Sequence, residues 1–319
     1  MNKFFFKVLR SGINTTYQDE GRFGLQHFGI PAGGCMDNES FLIANALVKN
    51  DKEKGVLEFA YQGPLLELIN GKAKIAITGN VNFKIISANN EVIDGECYRS
   101  YNLKEGDKID ILATKESVYG YFAIEGGFDL KNFFNSVSTL VKAKIGPNEG
   151  KKISIDDEII FNKDNINKKN FSTDISKKNT NIIRVIKGSQ YDYFSKSSLK
   201  DFVSKDYKIT NFTDRMGARL EGSIIKNIIS TNIRSEGIIK GAIQIPADGQ
   251  PIILLTDHPT IGGYPKIANV ISADYDLLVQ KKPGTSICFK CIELSEAEKL
   301  YKDKQKKISK FINNIKEIN

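Results

Sequence analysis

The chain has 319 residues, of which 40% are hydrophobic and 26% charged. This balance excludes a disordered chain, and the length suffices for two domains that each bury a core without disulfides or metal. The net charge of +8 arises from 46 basic and 38 acidic residues, with much of the excess at 162–181 and 299–319. Neither segment interleaves aromatic residues with arginine, so nucleic acid is not an expected partner.

The first residues predict a β-strand rather than a signal peptide, because the apolar run Phe4–Phe6 is interrupted at Lys7. No stretch approaches the roughly 18 apolar residues of a membrane span, so we expect a cytoplasmic protein without membrane contact. Cys288 and Cys291 lie in one apolar run, ICFKCIEL. Positions three apart on a strand face opposite ways, so this pair is not expected to bind a metal ion.

Short apolar or alternating runs bounded by glycine, asparagine and aspartate predict an all-β (mainly β) fold. In chain order these runs are FKVLRS, LLELI, KIAITG, KIDILAT, YGYFAIEGG, IIRVIKG, YKITNF, GAIQI, PIILLTD and SICFKCIEL. Helical spacing of apolar residues predicts a helix over 38–50, capped by Asp37 or Asn38. The same spacing predicts a basic, amphipathic helical tail over 296–319, whose apolar face packs on the protein or a partner.

The polar, lysine- and asparagine-rich segment 162–181 lacks periodicity and predicts a connection between two halves. The expected division is 1–175, 176–295 and the tail 296–319. The halves are weakly similar, since KEGDKIDIL at 104–112 has a counterpart in KPGTSICFK at 282–290. The similarity suggests, without establishing, two copies of one small β-barrel with a few short helices.

The first candidate for a functional site is the glycine-rich segment 18–37, which contains Asp19, Arg22, Gln26 and His27. Glycine allows backbone to approach a ligand closely, and such loops commonly carry binding sites. The alternative is a compact structural loop with a local Asp19–Arg22 pair.

Two further candidates lie in the second half. Arg215 and Arg219 in TDRMGARLEG could clamp a carboxylate or phosphate, or form surface ion pairs. Between 235 and 274, polar and titratable groups alternate with apolar strands that would hold them rigid. This segment also contains a possible anion-binding loop, Gly262-Gly263-Tyr264-Pro265 followed by Lys266. The alternative is a tight hairpin turn.

Four long blocks carry a family resemblance: TTYQDEGRFGLQHFGIPAGGCMD at 15–37, TDRMGARLEG at 213–222, residues 235–274, and PGTSICF at 283–289. In this order they resemble the family of the 5-oxoprolinase C subunit, also called KipA-like protein or allophanate hydrolase subunit 2, a biotin-dependent carboxyltransferase-domain family. The similarity extends from Val8 to about Glu293. It implies two cyclophilin-like β-barrel domains.

The resemblance also implies a function. The chain would act with a KipI-like B subunit and a LamB/YcsF-like A subunit in opening the lactam of 5-oxo-L-proline to L-glutamate. The reaction would use ATP with Mg, bound on this or another subunit, and no metal would reside on this chain. The site would lie in a cleft that this chain could share with the B subunit.

Site residues follow from the same blocks. The implied catalytic residues are Asp19, Arg22, Arg215, Glu236, Asp257 and Lys266. The implied substrate-binding residues are Gln26, His27, Gln244, Asp248, Gln250, Gly262, Gly263 and Tyr264. As hypotheses, Arg215 or Lys266 holds a carboxylate or phosphate and an acidic group transfers protons.

Two other functions share the fold. The first is biotin-dependent carboxyl transfer, as in urea carboxylase. The methionines are Met1, Met36 and Met216, none within a biotinyl-lysine sequence of the MKM type, so biotin would arrive on another protein. The second is a non-catalytic KipA-type regulator that binds a KipI-like kinase inhibitor.

Overall fold

The computed structural model describes residues 3–162, 167–175 and 180–318. Contacts between Cα atoms divide the chain into two units. Unit 1 comprises Met1–Arg22, Gly33–Ser176 and Lys307–Asn319, and unit 2 comprises Phe23–Ala32 and Lys177–Lys306. The glycine-rich segment and the C-terminal helix are therefore each shared between the units.

Unit 1 is built mainly from strands. Its strands are β1 (Phe4–Arg10), β2 (Thr16–Gln18), β3 (Val56–Ala60), β4 (Leu65–Asn70), β5 (Lys72–Thr78), β6 (Val81–Ile86), β7 (Val92–Asp94), β8 (Arg99–Lys104), β9 (Lys108–Thr114), β10 (Tyr119–Ile124), β11 (Glu158–Phe161) and β12 (Asn170–Ser172). Its helices are α1 (Asn38–Leu47), the short α2 (Pro147–Gly150) and a 3-10 turn at Val141–Ala143.

Unit 2 follows with strands β13 (Ile182–Lys187), β14 (Asp206–Thr213), β15 (Gly217–Glu221), β16 (Glu236–Gly237), β17 (Ala242–Gln244), β18 (Ile252–Leu254), β19 (Ile261–Gly262), β20 (Lys266–Val270) and β21 (Ser286–Cys291). Its helices are α3 (Lys196–Ser204) and α4 (Ser272–Val279), with 3-10 turns at Gln26–Phe28 and Tyr191–Tyr193. The chain ends with α5 (Leu294–Asn313), which crosses from unit 2 into unit 1, and β22 (Lys316–Ile318).

Two sheets enclose the core of unit 1, in the orders β11-β1-β4-β9-β6-β7 and β2-β3-β10-β5-β8-β12-β22. In β1 the side chains of Phe6 and Val8 are buried, as the two-residue period of a strand requires. Phe6 contacts Phe122 of β10 edge-on, with ring centroids 5.9 Å apart. The inner faces of the two sheets thus share one hydrophobic core.

Strand β10 is buried along its whole length because α1 also packs on its sheet. The predicted helix over 38–50 is confirmed as α1. Asp37 is its N-cap: the carboxylate accepts hydrogen bonds from the Ser40 backbone N–H (3.0 Å) and hydroxyl (2.8 Å). Asp37 is fully buried, so these bonds are shielded from water.

Seven strands of unit 2 close into a barrel in the order β13-β20-β17-β18-β15-β14-β21. The barrel closes where β21 runs parallel to β13, while the other neighbouring pairs are antiparallel. Closure removes unpaired sheet edges, which lets short strands form a stable sheet. The prediction of a mainly β fold is confirmed. Strands β16 and β19 form a separate two-stranded sheet, here called the ribbon.

The C-terminal tail corrects one prediction. Its helix begins at Leu294 and ends at Asn313, and Lys316–Ile318 form a strand rather than continuing the helix. Asparagine is a poor helix former, and β22 finds hydrogen-bonding partners on β12. The first turns of α5 pack within unit 2, where Ala297 and Leu300 contact Ile271 and Ile292. Within the described residues, no helix has the length and apolar character needed to cross a membrane.

The predicted connection 162–181 is also more structured than expected, although residues 163–166 and 176–179 lie outside the described residues. Strand β12 forms within it. The buried ammonium of Lys74 donates to the carbonyl oxygen of Lys169 at 2.6 Å, and the Asn102 amide donates to that of Lys168 at 2.7 Å. This segment is held by hydrogen bonds from distant side chains to its backbone. Because such bonds do not depend on the segment's own side chains, its sequence shows no hydrophobic periodicity.

Replacing Asp37 by alanine is expected to lower the free energy of unfolding by about 2 kcal/mol, because α1 loses its cap and buried donors lose their acceptor. Urea unfolding followed by circular dichroism measures this change. Asp94→Ala, at an exposed position of β7, is the matched control and should change stability by less than about 0.5 kcal/mol. Equal effects of the two substitutions would contradict the role of Asp37.

Candidate functional site

A polar cluster of unit 2 surrounds Lys266, the first residue of β20. Its ammonium lies 2.5 Å from Glu236 Oε1, and the side chains of Lys266 and Glu236 are 6% and 44% exposed. Hydrogen bonds from Lys266 and Gln190 lower the pKa of the Glu236 carboxyl below its ordinary value. Glu236 is therefore an anion at neutral pH and neutralises a buried cation.

Gln190 joins the two partners and was not predicted from the sequence. Its Nε2 donates to Glu236 Oε1 at 3.1 Å, and its Oε1 accepts from the Lys266 backbone N–H at 3.1 Å. The Gln190 backbone N–H also donates to the Lys266 carbonyl at 3.2 Å. This approach needs glycine at 188, since a Cβ there would lie 2.3 Å from the Lys266 carbonyl oxygen.

Gln244, at the end of β17, lies opposite Lys266 in the antiparallel register. It is 5% exposed, and its Nε2 has no hydrogen-bond partner among the described residues. A Cβ added at Gly262 would lie 2.6 Å from this nitrogen, so the amide reaches the ribbon at Gly262. A buried donor without a partner is costly, and such groups are uncommon in folded proteins.

The ribbon covers this cluster. Glu236 pairs with Gly262 and Gly237 with Ile261. Ile238 is buried and packs on Ala242, Leu254 and Ile252 of the barrel. Glu236 is two residues from Ile238 and faces the same way, toward Lys266. Ile239 and Ile261 are exposed on the outside.

Arg215 and Asp257 form a second, separate ion pair. The guanidinium donates through Nε at 2.8 Å and Nη2 at 2.9 Å to the two carboxylate oxygens, and each side chain is 14% exposed. The Asp257 backbone N–H also donates to the Arg215 carbonyl at 2.8 Å. Both carboxylate oxygens and two guanidinium nitrogens are thus engaged with each other in a bidentate pair.

The two ion pairs lie toward opposite ends of β18. Gln244, beside Lys266, pairs with Ile252 at the start of this strand. Gly217, two residues after Arg215, pairs with Leu254 at its end. The polar residues predicted over 235–274 are therefore divided by the barrel register into two groups.

Other predicted residues hold loops in place. Asp248 forms an exposed pair with Arg219 at 3.1 Å. The Gln250 side chain accepts from the Gly222 N–H at 2.9 Å and donates to its carbonyl at 3.2 Å. These contacts join the turn before β18 to the end of β15 and account for both polar side chains without a ligand.

In the glycine-rich segment, Asp19 and Arg22 are buried in unit 1. The Asp19 carboxylate accepts from the Ser136 hydroxyl and the Val137 N–H, each at 2.7 Å, and from the Gly21 N–H at 2.8 Å. The Arg22 guanidinium donates to the Ser138 carbonyl. Both side chains thus hold the loop against residues 136–138, through contacts other than the Asp19–Arg22 pair that the sequence suggested.

The remaining predicted residues are more exposed. Gln26 and His27 lie on the 3-10 turn Gln26–Phe28, which belongs to unit 2. Tyr264 is 40% exposed. Gly262 ends β19 of the ribbon. The carbonyl of Gly263, which follows it, accepts from the Ile233 N–H at 2.8 Å.

His258 follows Asp257 in the sequence, and its side chain is buried. Its Nδ1 donates to the Pro259 carbonyl at 2.6 Å. Burial lowers the pKa of His258 below its ordinary value. The imidazole is therefore neutral in the folded protein near pH 7.

A polar cavity of about 440 Å³ lies in unit 1. It is lined by Asp19, Asp51, Glu53, Lys54, Gly55, Phe128, Asp129, Leu130, Asn132, Asn135, Val137 and Asn162. The Asp19 carboxylate at its edge is already engaged by three donors. Across the part of the chain that the structure describes, no three His, Cys, Asp or Glu side chains are grouped to hold a metal ion.

The chain belongs to a known class of protein. Residues 28–291 match the family described as carboxyltransferase domain, subdomain A and B, and the chain belongs to this family. It is 33% identical to the C subunit of the 5-oxoprolinase of Haemophilus influenzae, over 92% of this chain and 93% of that protein. The corresponding protein of Escherichia coli is 31% identical, over 94% and 95%.

A solved structure has the same fold. The urea amidolyase of Kluyveromyces lactis superposes with a TM-score of 0.88 at 26% identity, covering 98% of this chain. The match spans only 20% of that much longer protein. The fold is thus found both as a separate subunit and as one part of a larger enzyme.

Asp257 belongs to a buried ion pair and Asp248 to an exposed one, so substituting each shows how burial changes the contribution of an ion pair to stability. Asp257→Asn is expected to lower the unfolding free energy by about 3 kcal/mol, because Arg215 would remain buried beside a neutral partner. Asp248→Asn breaks the exposed pair with Arg219 and should cost less than about 1 kcal/mol. Urea unfolding of both variants measures the difference, and similar costs would contradict a structural contribution of the buried pair.

His258 predicts a pH dependence of stability. The pKa of His258 is lower in the folded than in the unfolded protein. At a pH between the two pKa values, the unfolded chain therefore binds more protons than the folded protein does. The free energy of unfolding should therefore fall as the pH decreases below about 6.5. His258→Gln should reduce this slope, measured by urea unfolding between about pH 7 and 5. A slope in His258→Gln equal to that of the wild-type protein would contradict this assignment.

Proposed function

We propose that this chain is the C subunit of an ATP-dependent 5-oxoprolinase, acting with a KipI-like B subunit and a LamB/YcsF-like A subunit. The observation that carries the proposal is the near full-length similarity to the C subunit of the Haemophilus influenzae 5-oxoprolinase. The reaction would convert 5-oxo-L-proline, ATP and two waters to L-glutamate, ADP and phosphate.

The energetics of a lactam explain the need for ATP. An amide carbonyl is a poor electrophile, and transfer of the terminal phosphoryl group of ATP to its oxygen would make the carbon easier for water to attack. Negative charge that develops during such steps is stabilised by fixed donors and cations in a site shielded from water. Lys266 supplies a buried cation of this kind, and Gln190 and Gln244 supply amide donors beside it.

The predicted residues contribute unequally to this proposal. Lys266, Glu236, Gln244 and Gly262 form the functional cluster, to which we add Gln190. Arg215 and Asp257 are assigned to a second wall of the site, with the pair acting as a unit. Asp19, Arg22, Asp248 and Gln250 are assigned supporting positions. The exposed side chains of Gln26, His27 and Tyr264, together with the half-buried Gly263, are assigned to contacts with substrate or the B subunit.

A second function is biotin-dependent carboxyl transfer, which the structural similarity to urea amidolyase favours. In that case biotin would be carried by another protein. The two functions predict different products from the assembled subunits, glutamate or a carboxylated amide. If the chain is instead a KipA-type regulator, neither product is expected.

The assay combines this chain with its B and A partners and measures ATP-dependent release of glutamate from 5-oxoproline. Turnover should require all three subunits. No turnover with all three, or full turnover without this chain, would reject the proposal. A biotin- and bicarbonate-dependent carboxylated product would support the second function instead.

Lys266→Ala is expected to reduce turnover about a hundredfold or more, because the site loses its buried cation. The fold should survive, since the Glu236 carboxylate left behind is half-exposed and can be hydrated. Lys304→Ala is the matched control: it removes a lysine from another ion pair of unit 2, with Asp276 at 2.7 Å. Wild-type rates for Lys266→Ala would reject its role.

A further inference from the structure

Donors from three different strands or turns converge beneath the ribbon. Lys266 Nζ lies 2.5 Å and Gln190 Nε2 3.1 Å from the same oxygen, Glu236 Oε1. Gln244 Nε2 is buried beside Gly262, the ribbon residue that pairs with Glu236, and has no partner among the described residues. One cation and one amide donor therefore hold the Glu236 carboxylate, and a second amide donor lies on the neighbouring strand, opposite Lys266.

This donor set fits a small monoanion. A carboxylate has two oxygens and about four acceptor positions, whereas the contacts to Lys266 and Gln190 both use Glu236 Oε1. The unpartnered Gln244 amide would gain an acceptor if a second carboxylate oxygen came within reach. In the structure Glu236 engages Lys266 and Gln190, and the Gln244 amide has no partner among the described residues.

The two partners of the ion pair are not equally fixed. The Lys266 side chain is 6% exposed and belongs to the barrel, whereas Glu236 is 44% exposed and belongs to a strand of two residues. If Glu236 moves away from Lys266, water can hydrate its carboxylate, whereas Lys266 needs another anion. Glu236 is therefore the partner that a ligand can replace.

We propose that Lys266, Gln190 and Gln244 form a carboxylate-binding site and that Glu236 is its internal occupant. The ligand is the carboxylate of the small lactam substrate, which displaces Glu236 on binding. This inference rests on the proposed function, and it assigns substrate recognition to the Lys266 cluster. Arg215 is not assigned this role, because displacing its bidentate partner Asp257, which is only 14% exposed, would leave a buried carboxylate without its counter-ion.

The test compares the binding of 5-oxo-L-proline and of its uncharged analogue 5-oxo-L-prolinamide, by titration calorimetry or NMR on the full chain. Glu236→Gln removes the competing anion and should tighten 5-oxoproline binding about fivefold. Gln244→Met removes one donor at similar side-chain size and should weaken it about tenfold. Neither variant should change binding of the amide by more than about twofold.

Stability separates a binding role for Gln244 from a structural one. Gln244→Met removes a buried donor that has no partner among the described residues, so the melting temperature should stay the same or rise while carboxylate binding weakens. Lys304→Met is the matched control and should change neither affinity. Equal binding of acid and amide, or weaker acid binding in a folded Glu236→Gln variant, would overturn the inference.

The same variants in the assembled enzyme distinguish this inference from the proposed function. If the wild-type assembly releases glutamate but the KM for 5-oxoproline does not move in these directions, the carboxylate site is rejected and the proposed function stands. If the variants change carboxylate binding as expected but the wild-type assembly gives no glutamate, the site stands and the proposed reaction is rejected.

Discussion

The pairing of β20 with two neighbours in the closed barrel is the constraint on which the candidate site depends. On one side β17 places Gln244 opposite Lys266. On the other side, the turn after β13 brings Gln190 to the backbone of Lys266 and to Glu236, the side-chain partner of that lysine. Because a one-residue slip of β20 would turn Lys266 to the opposite face, the register itself determines the cluster.

Burial of Lys266 then determines the electrostatics. An ammonium withdrawn from water requires an anion or several acceptors, and Glu236 supplies the anion from outside the barrel. Gln190 and Gln244, the neighbours that the barrel and its turns contribute, are uncharged. A cation held by the rigid part of the fold and an anion held by a two-residue strand give the site a fixed positive group and a replaceable negative one.

Much of the fold could be predicted from the sequence. Alternation located strands such as β1 and β21, and helical spacing with Asp37 located α1 and its cap. Strands β12 and β22 could not be found this way. Each has only three residues, too few for an alternating pattern, and hydrogen bonds to backbone and distant side chains hold them.

The candidate site was predictable only in part, for a related reason. Clustering along the chain identified Glu236, Gln244 and Lys266, because they follow one another within a single stretch of strands. It missed Gln190, which approaches Lys266 only through the pairing of β13 with β20. It also grouped Asp257 with Lys266, although the register places these residues toward opposite ends of β18.

The ribbon is held by contacts other than the Glu236–Lys266 pair as well. Ile238 is buried against Ala242, Ile252 and Leu254, and its backbone N–H donates to the Thr260 carbonyl at 3.2 Å. These apolar and backbone contacts are insensitive to an incoming anion, whereas the ion pair is not. Because the two kinds of contact lie on different residues of the same short segment, Glu236 can leave Lys266 while Ile238 remains packed. Exchange of one carboxylate for another at Lys266 therefore requires a side-chain movement and not an opening of the barrel.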